Sequence, residues 1–423
     1  MQDRLIQRYL GNKSPLADRI VSEINVFASP GDLVFDAFAG TLTVSAALKN
    51  SGFRVAANDI NYFTWVFARA YFSSDELPDL DEPLRGPSAS AEIAWANLIH
   101  QLTEPYGNDI PSEGRRTDIF DHYCELGEKS AFQSSRGSTG RRRFFSPDNA
   151  ILIDRVLSRI RHWHRQGYLS EQNRCIALAC LLSAVEKISN TQGTYHDFPR
   201  VLFDTRASLK LTLRQPLSGH FSAPASQIFG RGEDSLDFVK RVPHHRAIYI
   251  DPPYNFRQYT SYYFMLNLLS EYPEIKELSE YFDRIQFVRG QNMGNDFKST
   301  FCSKTAFMPS LKSLINSADA DYVIMSYFNG RNHWGEFKST VTDLNGRQFL
   351  EEFFASDMFV SGSAKCVPIE RLNYQSYGGF AAGKVEEFLF VARKARLVVE
   401  SEHLKGERWT GQQPDGGRKL LIG

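Results

Sequence analysis

The 423-residue chain is 42% hydrophobic and 13% aromatic, enough apolar surface for one large domain or two to three smaller ones. Lys plus Arg equals Asp plus Glu at 49 each, which excludes a global field drawing the protein to a polyanion, so any such site must be local. Five cysteines, Cys124, Cys175, Cys180, Cys302 and Cys366, form no C-x-x-C pair and are odd in number; they point to a reducing compartment without a zinc knuckle. The N-terminus has no apolar run of signal length and no stretch approaches the ~18 apolar residues of a membrane span, so a soluble cytoplasmic protein is expected.

The first informative segment is Tyr9 to Leu16, which leads into a helical pattern of Leu16, Ile20, Val21 and Ile24. Gly11-Asn12-Lys13-Ser14 resembles the end of a phosphate-binding loop, but it lacks the upstream glycine and a preceding strand, which argues against one. Leu33-Val34-Phe35-Asp36, the small-residue turn Ala37 to Thr41 and the helical run from Thr43 make the strand, turn and helix of a nucleotide-binding βαβ unit. A second strand, Phe53 to Ala57, closes on Asn58-Asp59. Asp59 lies about 20 positions after Gly40, the interval at which an acidic residue meets ribose hydroxyls in such units.

Periodicity gives no guide from about Ser73 to Gly114. From Glu113 to Phe145 the expectation is a flexible loop in which Arg115, Arg116, Arg136, Arg141, Arg142 and Arg143, beside Phe144 and Phe145, suit phosphate contact and base stacking. After Pro147 the pattern is helical again, through Ile151, Ile153, Val156, Ile160 and Trp163. A second helix, Asn173 to Ile188, is apolar nearly all round and reads as core. It stops in the polar turn Ser189 to Tyr195. Asp234 falls between a short strand and a helical pattern, where it can face the same ligand as Asp59.

The apolar run Ala247-Ile248-Tyr249-Ile250 reads as a buried strand that delivers Asp251-Pro252-Pro253-Tyr254 at its C-terminal end. In an open α/β sheet that is where ligands bind. An exocyclic amino group on a base is a poor nucleophile until its hydrogens are accepted, and Asp251 with the Pro252 carbonyl can accept both. Proline offers a carbonyl at fixed φ without a competing N–H; Tyr254 can stack on the base, worth about 1–3 kcal/mol. Behind the turn, Arg257, Gln258 and Tyr259 are placed for a substrate, whereas Tyr263, Leu266 and Leu269 form a core stripe. Further strands are expected at Tyr322 to Tyr327 and Glu387 to Ala392, with a frayed tail after about Arg396.

Taken in this order, the segments resemble the Dam-type class of DNA adenine-specific (N6) methyltransferases over roughly residues 4–395. Tyr9 to Lys13 is similar to that family's N-terminal cofactor motif, Phe35 to Thr43 to its Phe-x-Gly motif, Asn58 to Asn61 to its acidic motif, and Asp251 to Tyr254 to its catalytic tetrapeptide. Asn255 to Tyr259, Ser189 to Tyr195, Ser326 to Asn329 and Glu386 to Val391 also look like family segments.

The resemblance implies an α/β, Rossmann-like S-adenosylmethionine-dependent methyltransferase fold with a large, mainly helical insertion. Residues 1–72 would be the N-terminal, cofactor-binding part of the catalytic domain, 73–224 the inserted target-recognition region, 225–396 the C-terminal catalytic part and 397–423 a flexible tail. Tyr9, Lys13, Asp36, Phe38, Gly40, Asp59 and Asp234 would surround S-adenosylmethionine; Asp251, Pro252 and Tyr254 would carry the chemistry on a flipped adenine. Pro253, Arg257, Gln258, Tyr259, Asn190, Tyr195, Arg141, Arg142 and Arg143 would meet the substrate. The implied partner is double-stranded DNA, with a cognate restriction or defence partner left open, no membrane and no metal. One departure stands out: Leu42 replaces a second family glycine, and a leucine there restricts φ and crowds the turn. The alternatives are amino-methylation of cytosine or of an RNA base, or a non-catalytic DNA-binding or cofactor-sensing protein that keeps the fold.

Overall fold

The computed structural model describes residues 9–395 apart from 89, 192, 199–204, 217, 255, 286, 293, 295, 304, 329–345 and 373–383. Asn255, Lys304, Asn329, Gly330, Tyr374 and Tyr377 therefore lie outside the described residues.

The centre is a seven-stranded sheet in the order β5-β2-β1-β6-β7-β9-β8. Its strands are β1 (Leu33–Asp36), β2 (Arg54–Ala57), β5 (Ile228–Phe229), β6 (His245–Ile250), β7 (Ala320–Phe328), β8 (Lys365–Leu372) and β9 (Lys384–Arg393). The first five in space pair in parallel, and β9 and β8 close the far edge antiparallel. Ladder-side alternation explains why these strands read as continuous apolar runs: both faces are covered. Ala247, Tyr249, Ile324, Leu389 and Val391 enter one core cluster, while Ile248, Ile250, Val323, Met325, Phe388 and Phe390 enter the other. Moving outward from β1, the chain runs one way through β2 and β5 and the other way through β6 and β7. A crevice therefore opens between the C-terminal ends of β1 and β6, the switch point at which open α/β sheets bind ligands.

Helices α1 (Ala17–Ile24), α2 (Thr43–Asn50) and α3 (Tyr62–Phe72) come from the N-terminal segment. Four more follow: α4 (Ala91–Thr103), α5 (Asp118–Tyr123), α6 (Pro147–Arg165) and α7 (Glu171–Ile188). All of these contribute to the first core cluster, where α7 packs along α3. Pro147 opens α6, where a missing N–H costs nothing. Ser170 caps α7 by accepting from the Asn173 N–H. Short helices α8 (Ser235–Phe238), α9 (Tyr259–Tyr262), α10 (Phe264–Glu271) and α11 (Leu278–Asp283) flank the later strands. Helix α12 (Phe307–Ser317) and the helix Gly346–Phe354 cover the other face. None of the described helices is long and apolar enough to cross a membrane.

One stretch on which periodicity was silent is filled, and one expectation fails. The aperiodic stretch contains α4, whose buried Ala94, Trp95, Leu98, Ile99 and Leu102 form one face, with Trp95 Nε1 donating to the Pro78 carbonyl at 2.8 Å. The expected flexible arginine loop holds α5 and a hairpin of β3 (Ala131–Gln133) and β4 (Thr139–Arg141). Phe144 and Phe145 do not wait for bases; both are fully buried in the core.

Candidate active site

The turn after β1 is built by packing against the N-terminal segment. Gly40 has φ +49°, and a Cβ there would meet the Tyr9 ring at 3.1 Å, so the position requires glycine twice over. Tyr9 in turn stacks on Tyr263 with centroids 4.5 Å apart, and the Tyr263 hydroxyl accepts from the Leu10 N–H at 2.8 Å. Leu42 adopts φ 60°, ψ 19°, the left-handed region, and is the sole non-glycine residue with positive φ among those described. Its side chain is wholly buried. Burying a leucine is worth about 1.5–3 kcal/mol, which covers the ~1–2 kcal/mol strain of that backbone. The leucine is thus accommodated with its turn in left-handed form rather than displacing it.

Four carboxylates, Asp36, Asp59, Asp234 and Asp251, line one cleft of about 890 Å³, open to solvent, together with Gly40, Tyr9 and the rest of the turn to Tyr254. Asp59 accepts from the Gly40 N–H at 2.9 Å through one oxygen and from the Asn61 N–H and Nδ2, both at 2.9 Å, through the other. It latches the turn after β1 to the end of β2, and burial raises its pKa. Asp36 accepts from Ser45 Oγ at 2.6 Å, but its Oδ1 is buried with no hydrogen-bond partner. Burial pushes its carboxyl up to about 7, against the lowering effect of Ser45. Asn12 Nδ2, on the same cleft, is likewise buried without a partner, while Asn12 Oδ1 accepts from Ser14. An orphan acceptor and an orphan donor in one pocket match a ligand carrying an ammonium and a carboxylate.

Asp251 sits at the end of β6 with 16% of its side chain exposed. Its Oδ1 pairs with the Lys13 amine at 2.9 Å. Burial pushes the Asp251 carboxyl up to about 6, with Lys13 pulling it down and Glu387 pushing it further up. Lys13 therefore touches Asp251, a contact that its expected place in a cofactor motif does not convey. The same amine lies 2.8 Å from Glu387 Oε1 and 5.9 Å from the centre of the Tyr254 ring. Tyr254 packs against Phe328 at 5.4 Å and Tyr327 at 6.3 Å. Pro252, Pro253, Gln258, Tyr259 and Phe38 line the cleft, and so does Asp234, whose carboxylate accepts from the Leu236 N–H and caps α8. Gln258 Oε1 accepts from the Ser299 N–H, which fastens Phe297, Ser299 and Cys302 as a further wall.

The remaining sequence-derived substrate residues are not brought to the cleft lining. Arg257 is exposed. Asn190 is buried and donates to the Arg143 carbonyl at 2.7 Å; Tyr195 is buried with its hydroxyl 3.0 Å from Ser189 Oγ. Arg142 is buried, with its guanidinium donating to the carbonyls of Val288 and Phe287 and to those of His122 and Lys129. Arg141 donates to Ser130 Oγ and the Gly127 carbonyl, and Arg143 pairs with Glu125 at 2.9 Å. Three residues at or beside the cleft were not singled out from the sequence: Asn12 and Glu387, which lie inside segments that resemble the family's, and Arg371. For Glu387 a signal existed, a carboxylate at the mouth of an apolar strand, but its partner stands 374 positions upstream (387 − 13).

A family model described as D12 class N6 adenine-specific DNA methyltransferase matches residues 9–320. The chain belongs to that family. Among curated relatives, this D12-class chain is similar to the Type II methyltransferase M.NlaIII of Neisseria lactamica, 29% identical over 325 residues that cover 76% of this chain and 83% of that protein. It is 25% identical to Modification methylase StsI of Streptococcus sanguinis over 92% of this chain and 52% of the relative. It is 28% identical to the Type II methyltransferase M.FokI of Planomicrobium okeanokoites over 93% of this chain and 54% of the relative. The chain thus spans about half the length of the last two. Membership of that family makes it an adenine-specific DNA methyltransferase, as the tetrapeptide suggested, and sets aside the cytosine and RNA alternatives.

Proposed function

We propose that the chain transfers a methyl group from S-adenosylmethionine to the N6 amino group of an adenine flipped out of double-stranded DNA, on a Rossmann-like core. The observation that carries this reading is the coincidence of Asp251 with the orphan pair Asp36 and Asn12 in a single switch-point cleft. S-adenosylmethionine, when bound, supplies an electrophilic methyl group. Ionised Asp36 would hold its ammonium and the Asn12 amide its carboxylate. Asp59 keeps one of about four acceptor positions free of the three donors that it already serves, which suits a ribose hydroxyl. Phe38, Gly40 and Tyr9 would wall the cofactor side, and Asp234 would meet its adenine ring. Residues 73–224 would act as an inserted, mainly helical target-recognition region.

On the substrate side, Lys13 occupies Asp251 Oδ1 and leaves Oδ2 to accept one amino hydrogen. The Pro252 carbonyl accepts the other. With both hydrogens drawn toward oxygen, the nitrogen lone pair is freed for attack. Tyr254 stacks on the base and offsets most of the few kcal/mol that flipping costs. The proton released by the nitrogen passes to Asp251 and leaves through the open cleft. Pro253, Gln258 and Tyr259 shape the base side of the pocket, with Arg257 on the path of the strand.

The test is transfer of labelled methyl from S-adenosylmethionine to unmodified genomic duplex DNA, with the product digested to nucleosides. N6-methyladenine from the wild type and none from Asp251→Ala supports the reading; methylation retained in that variant overturns it.

A further inference from the structure

The Lys13 amine does not serve Asp251 alone. It lies between two carboxylates at nearly equal distance, 2.9 Å from Asp251 and 2.8 Å from Glu387. Glu387 is 1% exposed on β9, in the row of alternating residues that continues with Leu389 and Val391 in the core. Its second oxygen accepts from Arg371 Nε on β8 at 2.6 Å. Arg371 lies over the Phe328 ring at 5.4 Å, and Phe328 packs on Tyr254. A line of alternating charge, Asp251, Lys13, Glu387, Arg371, thus runs from the cleft to the antiparallel edge of the sheet.

Such a line is costly. Burying ions carries a desolvation penalty of several kcal/mol each, and apolar residues in the same places usually fold at least as well. A core strand with Leu389 and Val391 in the same row has no packing reason for a carboxylate. The chemistry offers one. A lysine bound to Asp251 alone would quench its charge and leave a weak hydrogen-bond acceptor, and with four rotatable bonds it would also wander. A second carboxylate, itself fixed by an arginine, holds the amine from behind and takes up part of its charge.

We infer that Glu387, held by Arg371, is a positioning residue for methyl transfer: it fixes Lys13 on one oxygen of Asp251 and sets how strongly the other oxygen accepts from the substrate amino group. The inference rests on the reading that Asp251 receives the amino hydrogens. The charged and titratable groups that face Asp251 are Lys13 from the N-terminal segment, Glu387 and Arg371 from β9 and β8, Asp36 and Tyr249 from β1 and β6, and Tyr9, Tyr254 and Tyr259 around the cleft. Among them Lys13 and Arg371 lower the Asp251 pKa and Glu387 raises it.

The experiment is the pH profile, from 5 to 9, of single-turnover methyl transfer to unmodified genomic DNA at saturating S-adenosylmethionine. The signs differ by variant. Glu387→Gln removes a group that raises Asp251, so the acid limb moves to lower pH by about half a unit or more, and the plateau rate falls about tenfold. Lys13→Gln and Arg371→Gln move the limb to higher pH. Affinity for S-adenosylmethionine, read by calorimetry, stays within about twofold in Glu387→Gln, since that residue touches no cofactor group. Limbs that stay in place, or that all move the same way, overturn the inference. Should Glu387→Gln not fold by circular dichroism, the upward shift of Arg371→Gln decides. Asp251→Ala run alongside separates the two failures: if it stays active the underlying reading falls, and if it is dead while the limbs do not move only the role of Glu387 falls.

Discussion

The cleft between β1 and β6 and the arginine-rich stretch 113–145 use charge in opposite ways. In the cleft, polar groups are buried with atoms left over: Asp36 Oδ1 and Asn12 Nδ2 have no partner, and Asp251 offers an oxygen beyond the one that Lys13 holds. In the arginine stretch Arg115, Arg116, Arg141, Arg142 and Arg143 are committed to groups of the protein itself. Arg142 ties the hairpin β3–β4 to the carbonyls of Phe287 and Val288, next to Gly290, whose carbonyl accepts from Tyr123. A count of arginines in sequence cannot tell a phosphate contact from an internal strut. Unsatisfied buried atoms can mark a ligand site, because a native fold rarely tolerates them without a function.

That comparison can be broken most directly at Asp251. Asp251→Ala should lower methyl transfer to DNA by about 10²-fold or more, with melting temperature little changed, as measured by labelled-methyl assay and calorimetry. Arg142→Ala should behave as a core mutation, losing about 2–4 kcal/mol in urea unfolding because four carbonyls lose a buried donor. Leu42→Gly relieves ~1–2 kcal/mol of strain but empties a buried site worth ~2–5 kcal/mol, so a net loss of about 1–3 kcal/mol is expected in the same unfolding assay.

The pH dependence of cofactor binding sharpens the picture at Asp36. Its folded pKa is raised to about 7, so without ligand the protonated form is favoured on folding, and stability falls as pH rises between the ordinary carboxylate value and 7. Holding an ammonium requires the ionised form. Affinity for S-adenosylmethionine should therefore rise about tenfold from pH 6 to 8 and then level off, and Asp36→Asn should abolish that slope in a calorimetric series. The smallest effect is expected at the exposed side of the hairpin. Arg141→Ala should change the salt slope of DNA binding by less than one phosphate's worth in a fluorescence titration, with Arg142 excluded from that role by burial.

Much of the fold was legible because strand and helix runs carry their own periodicity. The strands at 33–36, 54–57, 245–250, 320–328 and 384–393 sit where apolar runs place them, and α6 and α7 follow Pro147 and the all-round apolar segment. Helix α4 was obscured by exposed Ile93 and by the proline-bearing chain before it, and β8 by a polar alternation that only β9 completes. Side-chain partners were least legible. Tyr195 and Asn190 look like substrate residues in a polar turn, yet they bond to Ser189 and to the Arg143 carbonyl.

The sequence alone determined the order of the elements, the turn chemistry around Gly40 and the Asp251 to Tyr254 group at a strand end, because these depend on residues within a few positions of one another. The sheet order, and with it the switch point that makes one cleft of β1 and β6, was decided by tertiary packing. So were the partners of Lys13, since an ion pair across 374 positions (387 − 13) depends on where two strands and an N-terminal segment come to rest, and no local pattern encodes that distance.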